Sequence, residues 1–287
     1  MTKAPAIRSF LAGIALLAAA GCGGGAGDGA KFKPVTIKGS DTMVLLTQRW
    51  AEIYMSEHPG FTIQVTGGGS GIGIAALING GTDICSASRP MKDSEKKLVM
   101  TRHGKDVQEI PVALDGISIY VHQSSPIQSL TQAQLKGIYT GRLTNWRDVG
   151  GKDGRIVPYS RDNSSGTYMF FKEHVLANED FAREVQTLPG TAAVVNAVSK
   201  DPASIGYGGA AYAHGIREVP IRRDDNSEPV APSLQTVKSG QYPLSRSLFF
   251  YTTGAPAGNV KAFIDWALGP EGQKICEEVG YYPIIKK

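Results

Sequence analysis

Arg161-Asp162-Asn163-Ser164-Ser165-Gly166-Thr167 follows an apolar run, Ile156-Val157-Pro158-Tyr159, and precedes a helical pattern from Tyr168 to about Val175. The stretch therefore reads as a strand-to-helix turn. A helix start leaves backbone N–H groups without intrahelical partners and carries partial positive charge, so it favours an anion. Ser164, Ser165 and Thr167 add hydroxyl donors, Gly166 lets backbone come close to a ligand, and Arg161 adds a planar, permanently charged set of N–H groups. Taken alone, the heptapeptide reads more simply as a helix cap beside a surface arginine. The surrounding chain changes that balance.

Upstream, strand, turn and helix alternate three times. Val35-Thr36-Ile37 predicts a strand, Gly39-Ser40-Asp41-Thr42 a turn, and Met43 to about Glu57 a helix stopped by His58-Pro59-Gly60. Phe61 to Val65 predicts the next strand, Gly67-Gly68-Gly69-Ser70-Gly71 a turn and Ile72 to Ile78 a helix. Asp83-Ile84-Cys85, Ser86-Ala87-Ser88-Arg89-Pro90 and a helix around residues 95–102 complete the third unit. This alternation marks an α/β lobe with a parallel sheet. Turns at the carboxyl ends of parallel strands share one sheet edge, where ligands bind. Ser40, Thr42, Ser70 and Ser88 are each expected at or near a helix start on that edge. With Arg161, Ser165, Gly166 and Thr167 they would converge on a gap between two lobes.

That chemistry suits a compact oxyanion. A buried dianion is tolerable only if its lone pairs find donors. A nucleotide pocket is disfavoured: the glycines of residues 67–73 lack G-x-G-x-x-G spacing, and no G-x-x-x-x-G-K-[ST] occurs.

Downstream, the long apolar stretch Ile110 to Val121, interrupted at Asp115-Gly116, predicts a strand leaving the first lobe for a second. Helices are expected at 132–139 and near 192–198, and strands at Ile205-Gly206-Tyr207 and Val219-Pro220-Ile221, with a polar surface loop over 222–232. Leu248-Phe249-Phe250-Tyr251 is a candidate return crossing, followed by helices at about 260–268 and 270–279.

The 287 residues suffice for two lobes with cores of their own, and 20% charged residues exclude a disordered or coiled-coil chain. Lys3 and Arg8 precede an apolar segment, Phe10 to Ala20, too short to span a bilayer comfortably, which reads as an export signal. Its end, Ala19-Ala20-Gly21-Cys22, is similar to the lipobox of bacterial lipoproteins, with Ala19 where leucine is usual. Cys22 would then be acylated and become the mature N-terminus, and Gly23 to Gly29 would form a flexible tether. Removing Lys3 and Arg8 leaves 28 basic residues against 26 acidic, which gives no support for a nucleic-acid partner. Cys85 and Cys276 are expected as buried, unpaired thiols.

The order and spacing of further segments carry a family resemblance. To the turns above are added Gly137-Ile138-Tyr139-Thr140-Gly141, Asn145-Trp146, Tyr242-Pro243-Leu244-Ser245-Arg246, Gly269-Pro270-Glu271-Gly272-Gln273 and Gly280-Tyr281-Tyr282-Pro283. The chain resembles the PstS family, the phosphate-binding component of bacterial phosphate ABC transporters. The resemblance implies a type II periplasmic-binding-protein fold: two lobes joined by two crossover strands that form a hinge. It implies capture of inorganic phosphate and delivery to an inner-membrane ABC permease, by a monomer without cofactor or metal and without enzymatic activity. It places phosphate ligands at Thr42, Ser70, Arg161, Ser165, Gly166 and Thr167, with Ser40 and Ser88 beside them. Some members carry aspartate at the position of Ser88, where it accepts the proton of hydrogen phosphate; Asp41 is the substitute candidate here. Asp162 is adjacent to Arg161, where some members place the arginine-orienting acid two residues on. The expected division is 1–21 signal peptide, 22–31 tether, 32–112 plus 246–287 first lobe, and 113–245 second lobe.

Two other functions compete. A secreted phosphatase or serine hydrolase is disfavoured, since no G-x-S-x-G surrounds these serines and the five histidines lack metal-ligand spacing. A phosphate-binding surface or sensory protein without a permease would keep the same cleft.

Overall fold

The computed structural model describes residues 33–284. The proposed signal peptide, tether and Cys22 lie outside them. Val35–Gly39 (β1) alternates buried and half-buried positions, and its buried Val35 and Ile37 anchor the first core. A single 3-10 turn, Asp41–Met43, leads into Val44–Glu57 (α1). Ile63–Thr66 (β2) and Ile84–Ala87 (β3) flank β1 and run parallel to it. Ser70–Ile78 (α2) connects them, and Asp93–His103 (α3) follows β3. Main-chain pairing with the return strand carries β3 through Ser86 and Ala87, which the sequence placed in a turn. Ser88 therefore ends a strand rather than starting a helix; α3 begins five residues on, capped by Lys92 and Glu95.

Val107–Val121 (β4) is the long outgoing strand. Leu130–Thr131 (β5) precedes Gln132–Tyr139 (α4), whose Thr131 and Gln134 form a reciprocal cap. Val157–Arg161 (β6) ends in the opening heptapeptide, and Gly166–His174 (α5) follows it. Gln186–Leu188 (β7), Thr191–Lys200 (α6) and Ser204–Gly209 (β8) complete the second layer. The expected single strand at 219–221 is instead two, Arg217–Val219 (β9) and Ile221–Arg222 (β10). Pro220 offers no N–H, and the chain on either side pairs with different partners, β9 with β4 and β10 with β5. Leu234–Lys238 (α7) precedes the return strand Ser245–Thr253 (β11), and Gly258–Leu268 (α8) and Pro270–Glu278 (α9) follow.

The principal sheet has the order β2-β1-β3-β11-β4-β8-β6-β7, with β9 also on β4. Its antiparallel centre is made by the crossover strands. Residues 107–116 of β4 pair with β11, and Ile117 to Val121 pair with β8 and β9. Thus β4 changes partner just after Asp115-Gly116, the polar break in its apolar run. One core gathers Ile37, Trp50, Phe250 and Phe263; another gathers Ile119, Tyr139, Phe171 and Tyr207. This is the two-lobed α/β fold with paired crossover strands. No helix among the described residues is long and apolar enough to cross a membrane.

Candidate functional site

Three chain turns of the first lobe face the start of α5. Ser40 closes β1; its N–H donates to Ser86 O at 2.9 Å, and its buried Oγ has no partner. Asp41 opens the 3-10 turn. Its Oδ1 accepts from Gly68 N at 2.7 Å and its Oδ2 from Arg161 Nη2 at 2.7 Å. Thr42 is buried, with Oγ1 2.9 Å from Thr167 Oγ1 of the other lobe. Two tyrosines fix this turn through its carbonyls: Tyr212 donates to Asp41 O at 2.6 Å and Tyr281 donates to Thr42 O.

Ser70 is the first residue of α2, entered through Gly69 at φ +102°. Its Oγ accepts from Ser88 N at 3.0 Å and lies 3.3 Å from Ser88 Oγ. Both serines are fully buried. Gly166 lies against them from the second lobe. A Cβ there would stand 2.4 Å from Ser70 Oγ and 2.6 Å from Ser88 Oγ, so only glycine allows this approach.

Arg161 is 1% exposed. Its Nη1 donates to Thr191 Oγ1 at 2.7 Å and its Nη2 to Asp41, while Nε has no partner. The acid beside it in sequence, Asp162, is not its counter-ion: Asp162 Oδ1 accepts from Ser164 N at 2.9 Å and from Ser164 Oγ. The side chain of Asp162 is spent on the turn, and Asp41 comes from the opposite lobe to pair with the guanidinium. Ser165 caps α5, accepting from Thr167 N at 3.1 Å and Tyr168 N at 3.3 Å. Ser164 reaches across the cleft mouth: its Oγ, whose one proton is shared between Asp162 Oδ1 and Gly68 O, lies 2.9 Å from Gly68 O, and its main-chain carbonyl accepts from Gly71 N at 2.8 Å.

The structure thus brings Ser40, Asp41, Thr42, Ser70, Ser88, Arg161, Ser165, Gly166 and Thr167 to one interlobe seam. It also adds residues the sequence reading omitted. Arg246 of β11 and Asp115 of β4 are direct cross-strand neighbours. Asp115 Oδ2 accepts from Arg246 Nε at 3.0 Å and Nη2 at 2.7 Å. Arg246 Nη2 also reaches Thr167 Oγ1 at 3.1 Å and Thr42 Oγ1 at 3.3 Å, and Nη1 donates to Ser88 O at 3.0 Å. Burial raises the Asp115 carboxyl above its ordinary value, against the opposing pull of Arg246. The signal for Asp115 was a single acid at the polar break of a long apolar run; Arg246 stands two residues before the second apolar run, Leu248-Phe249-Phe250-Tyr251. Thr191 was missed because it ranks as an ordinary helix start.

Chemically, the seam is rich in donors. Hydroxyls, the α5 terminus and two guanidiniums meet there, and Ser40 Oγ and Arg161 Nε are buried without acceptors. An anion supplies the acceptors such groups need. Among the described residues, no three His, Cys, Asp or Glu side chains group as metal ligands.

Two lobes on paired crossover strands, with a polar seam at the facing sheet edges, define the class of two-lobed solute-binding proteins. The family model for the PBP superfamily domain matches residues 21–271 of the chain. The chain is 34% identical to the phosphate-binding protein PstS of Staphylococcus epidermidis, over 96% of this chain and 87% of that one. It is 33% identical to the Pseudomonas aeruginosa PstS, over 87% and 82% respectively. It belongs to the PstS family of phosphate-binding proteins. Among solved structures, a Clostridium perfringens substrate-binding protein assigned to phosphate ABC transport, with bound phosphate, superposes with a TM-score of 0.80 at 29% identity. That match covers 88% of this chain and all of the other. An ABC-type phosphate transport receptor from Vibrio cholerae gives a TM-score of 0.70 at 27% identity, over 87% of this chain and all of the other.

Proposed function

We propose that the protein is an extracytoplasmic solute-binding protein that captures inorganic phosphate between its lobes and delivers it to an ABC permease. The observation that carries this reading is the meeting of buried Arg161 with hydroxyls of both lobes at the N-terminus of α5. In this reading Thr42, Ser70, Ser88, Arg161, Ser165, Gly166 and Thr167 donate to the anion, with Ser40 at its edge. Asp41 orients Arg161. Each of its carboxylate oxygens, having accepted one donor, keeps a lone pair for the proton of hydrogen phosphate. Phosphate binding shifts an open–closed equilibrium of the lobes, because only the closed form completes the donor set.

The lobes divide at residues 112/113, within β4, and 245/246, at the start of β11. Cys22 carries a lipid anchor, and the protein acts as a monomer. Binding rather than hydrolysis fits the partners of the buried hydroxyls. Thr42, Ser70, Ser88 and Thr167 bond to one another, to Arg246 and to main chain, and among the described residues none of them meets a histidine.

Calorimetric titration of the soluble mature chain with phosphate and with sulfate tests this. The reading requires saturable one-to-one phosphate binding at micromolar concentration or tighter, with weaker sulfate binding. Absence of phosphate binding in that range overturns it.

A further inference from the structure

We propose that Arg246, held by Asp115, is a positioning residue of the anion site: it orients the Thr42 and Thr167 hydroxyls and couples them to the crossover hinge. The inference rests on the phosphate-binding reading above.

Arg246 and Asp115 are register partners on the two strands that join the lobes, one pair before the last β4–β11 pair, Gly116 with Ser245, after which β4 turns to β8. Both are buried, 7% and 1% exposed. A buried ion pair of this kind is a poor stabilising device, since well-packed apolar residues serve as well or better. Its remaining bonds point to another role. Nη2 touches one hydroxyl from each lobe, Thr42 Oγ1 at 3.3 Å and Thr167 Oγ1 at 3.1 Å, and Nη1 holds Ser88 O at 3.0 Å. A hydroxyl has one proton and two lone pairs. The two hydroxyls lie 2.9 Å apart, so one of their protons is held between them; with the guanidinium on lone pairs of both, the other proton is left for an acceptor on the far side. Donation from a cation also makes each hydroxyl a stronger donor. The Phe170 ring of α5 faces the guanidinium, with 5.7 Å from its central carbon to the ring centroid, a cation–π contact that helps hold it in place. Because one fork spans both lobes from the hinge, the two hydroxyls reach their donor positions only when the crossover strands hold this register.

The test replaces both charges by apolar residues, Asp115→Leu with Arg246→Met, which removes the fork without leaving a lone buried charge. Folding is followed by thermal melting and phosphate affinity by calorimetry. The expected result is a folded protein whose phosphate Kd rises by roughly 30-fold or more, the loss of one to two charge-assisted bonds. Thr167→Val is expected to weaken binding in the wild type and to cost several-fold less in the double variant. A folded double variant that binds like wild type, or a Thr167→Val loss equal in both backgrounds, overturns the proposal. If the double variant does not fold, Arg246→Lys replaces it. A lysine keeps the charge but not the fork, so wild-type affinity in that variant refutes the role. Failure of the wild-type chain itself to bind phosphate refutes the functional reading instead.

Discussion

Replacing Gly166 with alanine places one methyl group between the lobes. Gly166 is the first residue of α5 and already helical, so alanine costs no backbone strain and improves helix propensity by up to about 1 kcal/mol. The penalty lies in the cleft. The new Cβ would meet Ser70 Oγ at 2.4 Å and Ser88 Oγ at 2.6 Å. An ordinary carbon–oxygen contact is about 3.3 Å or more, so the tip of α5 must withdraw by roughly 0.8 Å. The serines cannot give way freely, since Ser70 Oγ is bonded to Ser88 N across the same point. A donor displaced by that much leaves the 2.7–3.2 Å window of a good hydrogen bond. Weakening two bonds to a charged ligand costs about 3 kcal/mol in total, about a hundredfold in Kd. Calorimetry is expected to show that loss with the ligand-free melting temperature unchanged or slightly raised. Wild-type phosphate affinity in Gly166→Ala would refute the assignment of this seam as the anion site.

Four further outcomes follow from the same geometry. Arg161→Ala is expected to abolish tight phosphate binding, and to lower stability by only about 1–3 kcal/mol, since partly exposed Asp41 can be rehydrated; calorimetry and urea melts separate the two effects. Asp41→Asn is expected to weaken phosphate more than sulfate, and equal losses in competition titrations would remove its acceptor role. Glu95 is drawn toward higher values by burial, but its hydrogen bond and charge contact with Arg89 outweigh this and hold it below the ordinary value of 4.5. Its stabilisation is therefore complete above about pH 5 and lost as pH falls through the lowered value. Glu95→Gln should accordingly cost on the order of 1 kcal/mol at pH 7 and less at pH 3, read from acid-range melting curves. Burial pushes the Cys276 thiol up to about 12 and raises Cys85 as well, and neither is paired. Neither should label with a thiol reagent at pH 8 in the native protein, and both should label in denaturant, as peptide mass spectrometry would show.

Legibility followed the range of the interactions. The helix at Gln132–Tyr139 was readable to its ends because Thr131 and Gln134 cap it locally. The hydroxyl turns were readable because each sits where a strand hands over to the next segment. Ser88 was misplaced relative to its helix, since only the pairing of Ser86 and Ala87 with Phe250 and Phe249 keeps that stretch extended. The polar serine gives no local hint of it. Pro220 carried the signal that splits β9 from β10, but their separate partners lie about 90 to 100 residues away. Arg161 and Asp41 were both legible as site residues, yet not as each other's partner. Their contact spans 120 residues and both lobes, and proximity in sequence favoured Asp162. The pairing of Asp115 with Arg246 needs the register of two strands 131 residues apart. Alone, Asp115 reads as a polar break in an apolar run and Arg246 as a charge just before one.

The central claim is that an anion is held where the two lobes' hydroxyls meet. A crystal structure of the chain grown with inorganic phosphate tests it most directly. The account predicts one tetrahedral density between the lobes, bonded by Arg161, Ser70, Thr42, Gly166 N and Thr167. Density confined to another surface, or a closed cleft without an anion at saturating phosphate, would contradict it.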